Sequence, residues 1–320
     1  MAASLWESTR QSGRLTGATG HNEFSGYDWP LGVEGTMEAE KIHLTKERKT
    51  YLATLYGKAL DAAAENPILG DRFAADAVAR IDYDFRALKL PKGAEISLPM
   101  RARHFDQWTR AFLAANPEST VLHLGCGLDT RVYRIDPGPK VRWFDVDFPD
   151  VIALREQLYP ERDGYRRIGS SVTDLAWLDA IPGDAPVLVV AEGLVMYLHE
   201  KDGTALFRRI TEQFPSGQIA FDAYSGTMTR LVSRFLRVGG AKVELVWGVD
   251  DPHDLEKQVP RLHLVEDVAF LTMPDLVGRL SQSWFSRVMY RVMSRLPLYR
   301  NLVRHLRYEF SGEPGAKAAP

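Results

Sequence analysis

The sequence predicts a doubly wound α/β fold built on a mostly parallel sheet of seven strands, preceded by a layer of helices. Three observations carry this. Short apolar runs alternate with helical segments beyond Pro117, a Gly-x-Gly turn closes the first run, and an Asp-Val-Asp closes the second. Such alternation covers both faces of a parallel sheet with helices.

Taken in order, residues 1–35 read as a flexible arm or lid. Gly13, Gly17, Gly20, Gly26, Gly32 and Gly35 interrupt any periodic pattern there, while Phe24, Tyr27 and Trp29 leave open that the arm folds over a ligand. Residues 36–320 read as one domain, with a helical cap at 36–118 and the core at 119–320. In the cap, Tyr51, Leu52, Leu55, Tyr56, Ala59, Leu60 and Ala63 recur at helical spacing ahead of Pro67. Phe105, Trp108, Phe112 and Ala115 repeat the pattern before Pro117. Strands are expected at 121–124, 141–146, 165–168, 187–191 and 218–224. A sixth is expected at 262–272 and a short seventh at 307–310. Between the last two, residues 284–306 read as a C-terminal helical addition. Its arginines form a solvated face more readily than a contact with anionic membrane.

With 320 residues, 45% of them hydrophobic, the chain can bury a sizeable core. A formal charge of −2 lacks the basic excess of a nucleic-acid binder. The lone Cys126 rules out an internal disulfide or a cysteine-rich zinc site and points to a reducing cytoplasm. No stretch approaches the length of a transmembrane helix, so stable membrane insertion is not expected. Nor is a metal expected, since the His, Asp and Glu residues show no His-Glu-x-x-His spacing.

Gly125 and Gly127 follow the strand 121–124, where bare backbone can approach a ligand closely. Asp145 or Asp147, about 20 residues further on, stands where a mononucleotide site places the acid that accepts ribose hydroxyls. Thr130 occupies the position where a dinucleotide fingerprint has its third glycine, and no Gly-x-x-x-x-Gly-Lys-Ser/Thr loop is present. A nucleoside without phosphates, S-adenosylmethionine, fits best. Asp129 and Thr130 read equally well as helix-capping or ligand residues.

The runs LGCGLDTR (124–131), DVDFP (145–149) and AEGLVMYL (191–198) resemble the leucine carboxyl methyltransferase family. The likeness is nearest to its bacterial branch of tetracenomycin-type polyketide O-methyltransferases. It extends through 41–71, ARIDYDF (79–85) and RARHFD (101–106), covering roughly residues 36–275. The resemblance implies a class I, Rossmann-like methyltransferase. It implies Arg101, with Arg103 as its neighbouring alternative, at the cofactor's carboxylate, Asp147 at the ribose and Glu192 near the methyl group. Gly125 and Gly127 carry the methionine contact, and Asp145 either shares the ribose or caps the loop. The adenine segment falls on GSSVTDL (169–175). There Ser171 stands where relatives carry an acid, so Ser171 and Val172 are assigned to the pocket, with Asp174 the acid only if the alignment slips by three.

The acceptor pocket is expected around Tyr197, Tyr224, Trp247 and His253, each of which also reads as aromatic packing or loop. Lys41 and His43 sit in a family-like motif suited to an anionic acceptor. Catalysis is therefore assigned to Glu192, Tyr197 and His253. Cys126 reads as packing, with no cation beside it to activate a thiolate. The expected activity is O-methylation of a carboxylate or phenol on a small, polyketide-like natural product. The alternatives are protein C-terminal carboxyl methylation and a non-catalytic cofactor-binding protein. The oligomeric state is not legible.

Overall fold

The computed structural model describes residues 48–238, 240–280 and 283–312. The arm expected at 1–35, and Lys41 and His43, lie outside these residues. Seven strands form one sheet: β1 (Thr120–Leu124), β2 (Arg142–Asp147), β3 (Tyr165–Gly169), β4 (Val187–Ala191), β5 (Gly217–Tyr224), β6 (His263–Ala269) and β7 (Val303–Phe310). Their spatial order is 3-2-1-4-5-7-6. β1 to β5 run parallel, and β7 lies antiparallel between β5 and β6.

Alternating side chains on these strands feed two different cores, as the period of two requires. Leu122, Leu124, Phe144, Val146, Val189 and Phe221 pack with Leu206, Phe207 and Ile210 of the helix Glu200–Gln213. Val121, Trp143, Leu188, Val190 and Ala220 pack instead with Phe105, Trp108 and Phe112 of the helix Ala94–Ala115. β1 and β4 are buried at every position, the signature of strands covered on both sides.

Two further helices lie ahead of the sheet in sequence, Arg48–Ala62 and Arg72–Arg80. Leu52, Leu55 and Ala59 of the first meet Ala74, Ala77 and Val78 of the second. The second begins at Asp71, whose carboxylate accepts from the N–H of Ala74 and so satisfies one of the free donors of the first turn.

The expected helix over 284–306 is shorter than its periodicity suggested. It runs from Trp284 to Met293, a single turn follows at Pro297–Arg300, and the chain is a strand from Val303. Pro297 cannot donate the N–H that a continuing helix needs, so the helical pattern stops before it. Arg304, expected in the helical addition, and Arg307, expected at the start of the short seventh strand, both lie on β7 and pair with Asp267 and Glu266 of β6. The seventh strand is accordingly eight residues long. The sixth ends at Ala269, with 270–272 continuing as a single 3-10 turn.

Trp247 is also resolved in favour of packing. It is buried against Gly203, where an added Cβ would stand 2.2 Å from its ring. Gly203→Ala should therefore lower unfolding free energy by about 1–3 kcal/mol, the cost of overpacking a core. Denaturant titration measures this, and a change within about 0.5 kcal/mol would show that the indole has room to move.

Candidate active site

The carboxyl ends of β1, β2, β4 and β5 bring the chemistry-bearing residues to one edge of the sheet. After β1 the chain turns through Gly125 and Gly127 at φ of 59° and 50°, a left-handed conformation that favours glycine. A Cβ on Gly127 would lie 3.0 Å from the Tyr51 ring, and one on Gly125 would lie 2.8 Å from Leu194. Close approach and backbone angle thus both demand glycine here. Cys126 between them is buried, and burial pushes its thiol up, as a packing residue requires.

At the end of β2, Asp147 accepts the Gly127 N–H on Oδ2 at 2.7 Å and the Phe148 N–H on Oδ1 at 2.8 Å. A carboxylate has about four acceptor sites, so one lone pair remains on each oxygen. Burial raises its pKa against these two bonds. Asp145 differs entirely. Its Oδ1 accepts from Trp143 Nε1 at 2.9 Å and meets His123 Nδ1 at 3.1 Å. Its Oδ2 accepts from Tyr165 at 2.6 Å and from the fully buried Arg155. Burial opposes the charge, but Arg155 and these hydrogen bonds hold the carboxyl well below its usual range. Four partners leave nothing for a ribose hydroxyl, so the expected sharing of the ribose with Asp145 is not what the geometry provides.

Glu192 follows β4 and bridges two arginines. Arg101 Nε donates to its Oε1 at 2.9 Å, and Arg131 Nη2 donates to its Oε2. Arg101 Nη1 also donates to Asp222 Oδ2 at 3.1 Å, and Asp222 accepts the Gly193 N–H on its other oxygen. Among the described residues, Arg101 Nη2 takes no hydrogen bond. It stands 3.3 Å from where a Cβ on Gly193 would sit. Arg131 is completely buried and also donates from Nε to Asp106 at 2.8 Å. Burial alone would raise the Glu192 pKa. Lys58, Arg101 and Arg131 reverse that and hold it at about 2.

Sequence reasoning missed several members of this cluster. Lys58 is buried and pairs with Asp129 at 2.9 Å. Its signal was a cation at a core position of the repeat Tyr51, Leu55, Lys58 on the inner face of the helix Arg48–Ala62. Asp222 was legible as the one charge inside the run QIAFDAY. Thr130, read with Asp129 as cap or ligand, stands at the N-cap of the helix Arg131–Ile135, though its side chain caps no backbone N–H. Asp129 is held ionised by Arg134, Lys58 and Arg131 against its burial, and the Thr130 hydroxyl donates to Asp71. Arg103 pairs with Asp275 on the surface.

Tyr197 closes the 3-10 turn after β4, and its hydroxyl feels Tyr224, Arg101 and Asp222. Although 39% of the residue is exposed, protein atoms crowd the hydroxyl and raise its pKa, as burial does for Tyr224. Ser171 and Val172 follow β3, whose Gly169 pairs with Asp147. Ser171 bonds Thr173 at 2.9 Å and Val172 is buried. Asp174 caps the 3-10 turn Leu175–Ala180 instead. His253 is not brought to the cluster. It is exposed, contacts Glu256 at 2.6 Å, and follows Pro252, whose carbonyl accepts from Tyr308, the register partner of Ile219 near the start of β5.

This fold, with a glycine turn after β1 and an acid at the end of β2, defines a class I, Rossmann-like methyltransferase. The model of the leucine carboxyl methyltransferase family matches residues 45–211, and the chain belongs to that family. The tetracenomycin polyketide synthesis O-methyltransferase TcmP of Streptomyces glaucescens is 44% identical, covering 85% of this chain and 99% of its own. The S-adenosyl-L-methionine-dependent methyltransferase dpfgK of Gibberella zeae is 34% identical, covering 86% of this chain and 99% of its own. Among solved structures, the plantazolicin methyltransferase BamL aligns with TM-score 0.45 and 10% identity over 83% of this chain and 98% of that one, too distant a likeness to argue from.

The two acids of β2 should separate experimentally. Asp145→Asn leaves Arg155 buried without its counter-charge and should cost about 3–5 kcal/mol of stability. Asp147→Asn keeps one backbone hydrogen bond but turns an amide nitrogen toward the other N–H, and should cost about 1–2 kcal/mol at pH 7. The folded-state pKa of Asp147 is raised, so its contribution from ionisation is present at low pH and lost as pH rises through that value, and the charge itself adds nothing to that cost. Equal losses in the two variants would contradict this division.

Proposed function

We propose that the chain transfers a methyl group from S-adenosylmethionine to an oxygen of a small, polyketide-like natural product, with a carboxylate as the favoured acceptor. The observation that carries the cofactor reading is Asp147. It is anchored across the glycine turn by two backbone N–H groups and keeps one free lone pair on each oxygen, matching a vicinal ribose diol.

When bound, S-adenosylmethionine supplies an electrophilic methyl group on a sulfonium. The remaining work belongs to the chain. Arg101 offers the unengaged Nη2 to the methionine carboxylate, its other nitrogens being fixed by Glu192 and Asp222. Glu192, ionised at any ordinary pH, presents negative charge to the cationic end of the cofactor. It is a positioning charge and too weak a base to take a proton near neutrality. Ser171 and Val172 border the adenine. Because the reaction is an in-line displacement that removes a positive charge, orientation and desolvation supply most of the acceleration.

On the acceptor side, the partly buried Tyr51, Tyr224 and Met228 pack against the buried cluster of Met196, Val232, Val243 and Leu245 and would give an aromatic skeleton apolar contacts. Tyr51, Tyr197 and Tyr224 all have raised pKa values and stay protonated at neutral pH. A phenol would need a base, whereas a carboxylate is already ionised. The likeness to a polyketide O-methyltransferase supports a small acceptor over a protein terminus. Net charge near zero and one buried cysteine support a cytoplasmic enzyme with no nucleic-acid partner.

Two measurements test this. Titration calorimetry on Asp147→Asn should show S-adenosylmethionine affinity reduced by about 1.5–3 kcal/mol, the scale of lost charge-assisted hydrogen bonds. Unchanged affinity removes the ribose assignment. Incubation of aromatic polyketide acids and their phenolic analogues with labelled cofactor should yield an alkali-labile ester at a rate nearly flat between about pH 6.5 and 8.5. An alkali-stable ether whose rate climbs about tenfold per pH unit would make the acceptor a phenol. Methylation of a peptide ending in leucine, with none of the small acids, would favour protein modification, and cofactor binding without any transfer would leave a binding protein.

A further inference from the structure

Residues 276–308 contain seven arginines and no Asp, Glu or Lys. Within them the helix Trp284–Met293 has no buried residue. Trp284 and Phe285 are 75% and 64% exposed, and Val288, Met289 and Val292 extend the same stripe at helical spacing. Leu296 and Leu298, beside the following turn, are exposed as well. Next to this ridge lies a pocket of about 140 Å³ lined by Arg295, Arg300 and Arg304 together with Asp267. Asp267 is engaged by Arg304 at 3.3 Å, and among the described residues Arg295 and Arg300 have no ion pair.

We infer that this segment is a docking surface for an anionic lipid bilayer, with the exposed apolar stripe lying in the interface and Arg295 and Arg300 holding a headgroup phosphate. An amphipathic helix with Trp and Phe on one side and arginines beside them is the composition that lies in a headgroup layer. A second copy of the chain docked face to face would bring Arg295 and Arg300 against their own kind, with Asp267 of the pocket already engaged by Arg304. Guanidinium groups match phosphate bidentately, and Arg295 and Arg300, which have no ion pair among the described residues, attract a negative surface beside the apolar stripe. The contact is peripheral, since among the described residues no helix is long and apolar enough to cross a membrane.

Vesicle co-sedimentation of the full chain tests the inference. Binding to vesicles of phosphatidylcholine mixed with phosphatidylglycerol should exceed binding to phosphatidylcholine alone by about tenfold or more, and should fall as salt is added. The double variants Trp284→Ser/Phe285→Ser and Arg295→Gln/Arg300→Gln should each lower it by about tenfold, with circular dichroism and S-adenosylmethionine affinity unchanged. Several results would overturn it: no vesicle binding, equal binding to neutral and anionic vesicles, or wild-type binding in both variants. A dimer that the first variant converts to monomer would assign the ridge to a second copy. Vesicle binding that emerges only after deletion of residues 1–35 would assign it to that arm. Competition by inorganic phosphate without any vesicle binding would leave a simple anion pocket.

Discussion

The bridge from Arg101 through Glu192 to Arg131 is the interaction on which the site depends. It joins a helix of the cap, the end of a central strand and the start of the helix after the glycine turn, all in the buried interior. Moving three charges out of water is costly, and mutual attraction offsets that cost only when the hydrogen bonds are nearly complete. They are: Asp222 takes the second Arg101 nitrogen, and Asp106 takes the Arg131 Nε. An apolar cluster of the same volume would hold the layers together at least as well, so the stability it contributes does not explain the arrangement. What the charges add is a fixed orientation for one carboxylate and one guanidinium at the strand ends, the arrangement that the proposed cofactor contacts would use.

The two arginine systems divide the labour. Arg155 locks Asp145 into the interior beneath the glycine turn, and donates from its other nitrogen to the carbonyls of Gly127 and Asp129. The turn is therefore held from below by a guanidinium and from the side by Asp147. A loop so braced presents its backbone in one conformation, and pre-organisation of this kind lowers the ordering cost of binding.

What the sequence disclosed and what it withheld follow one physical line. β1 and β4 were readable because a strand buried on both faces must be apolar throughout, and the glycine turn was readable because its backbone excludes other residues. The first half of β7, residues 303–306, was read as helix because Arg304 continues a spacing that fits a helix face; only its pairing with Asp267, more than 35 residues earlier in the chain, makes it a strand residue. The roles of Asp145 and Asp147 could not be separated from spacing, since both point to the same side of one strand. Their difference lies in Arg155, Tyr165 and His123, partners contributed by other elements. Charge networks of this type are closed by tertiary contacts, and no local pattern encodes them.

The placement of β7 between β5 and β6 has a consequence for biogenesis. When β6 has been synthesised its one sheet partner among the described residues, β7, is still to come after residues 270–302. β5 likewise keeps an open hydrogen-bonding edge through the whole of that interval. The parallel half of the sheet can assemble as the chain emerges, but its last two strands must be added together, after translation of nearly all the described chain. Until then an unpaired edge is exposed to other nascent chains, the condition under which strand exchange and aggregation compete with folding.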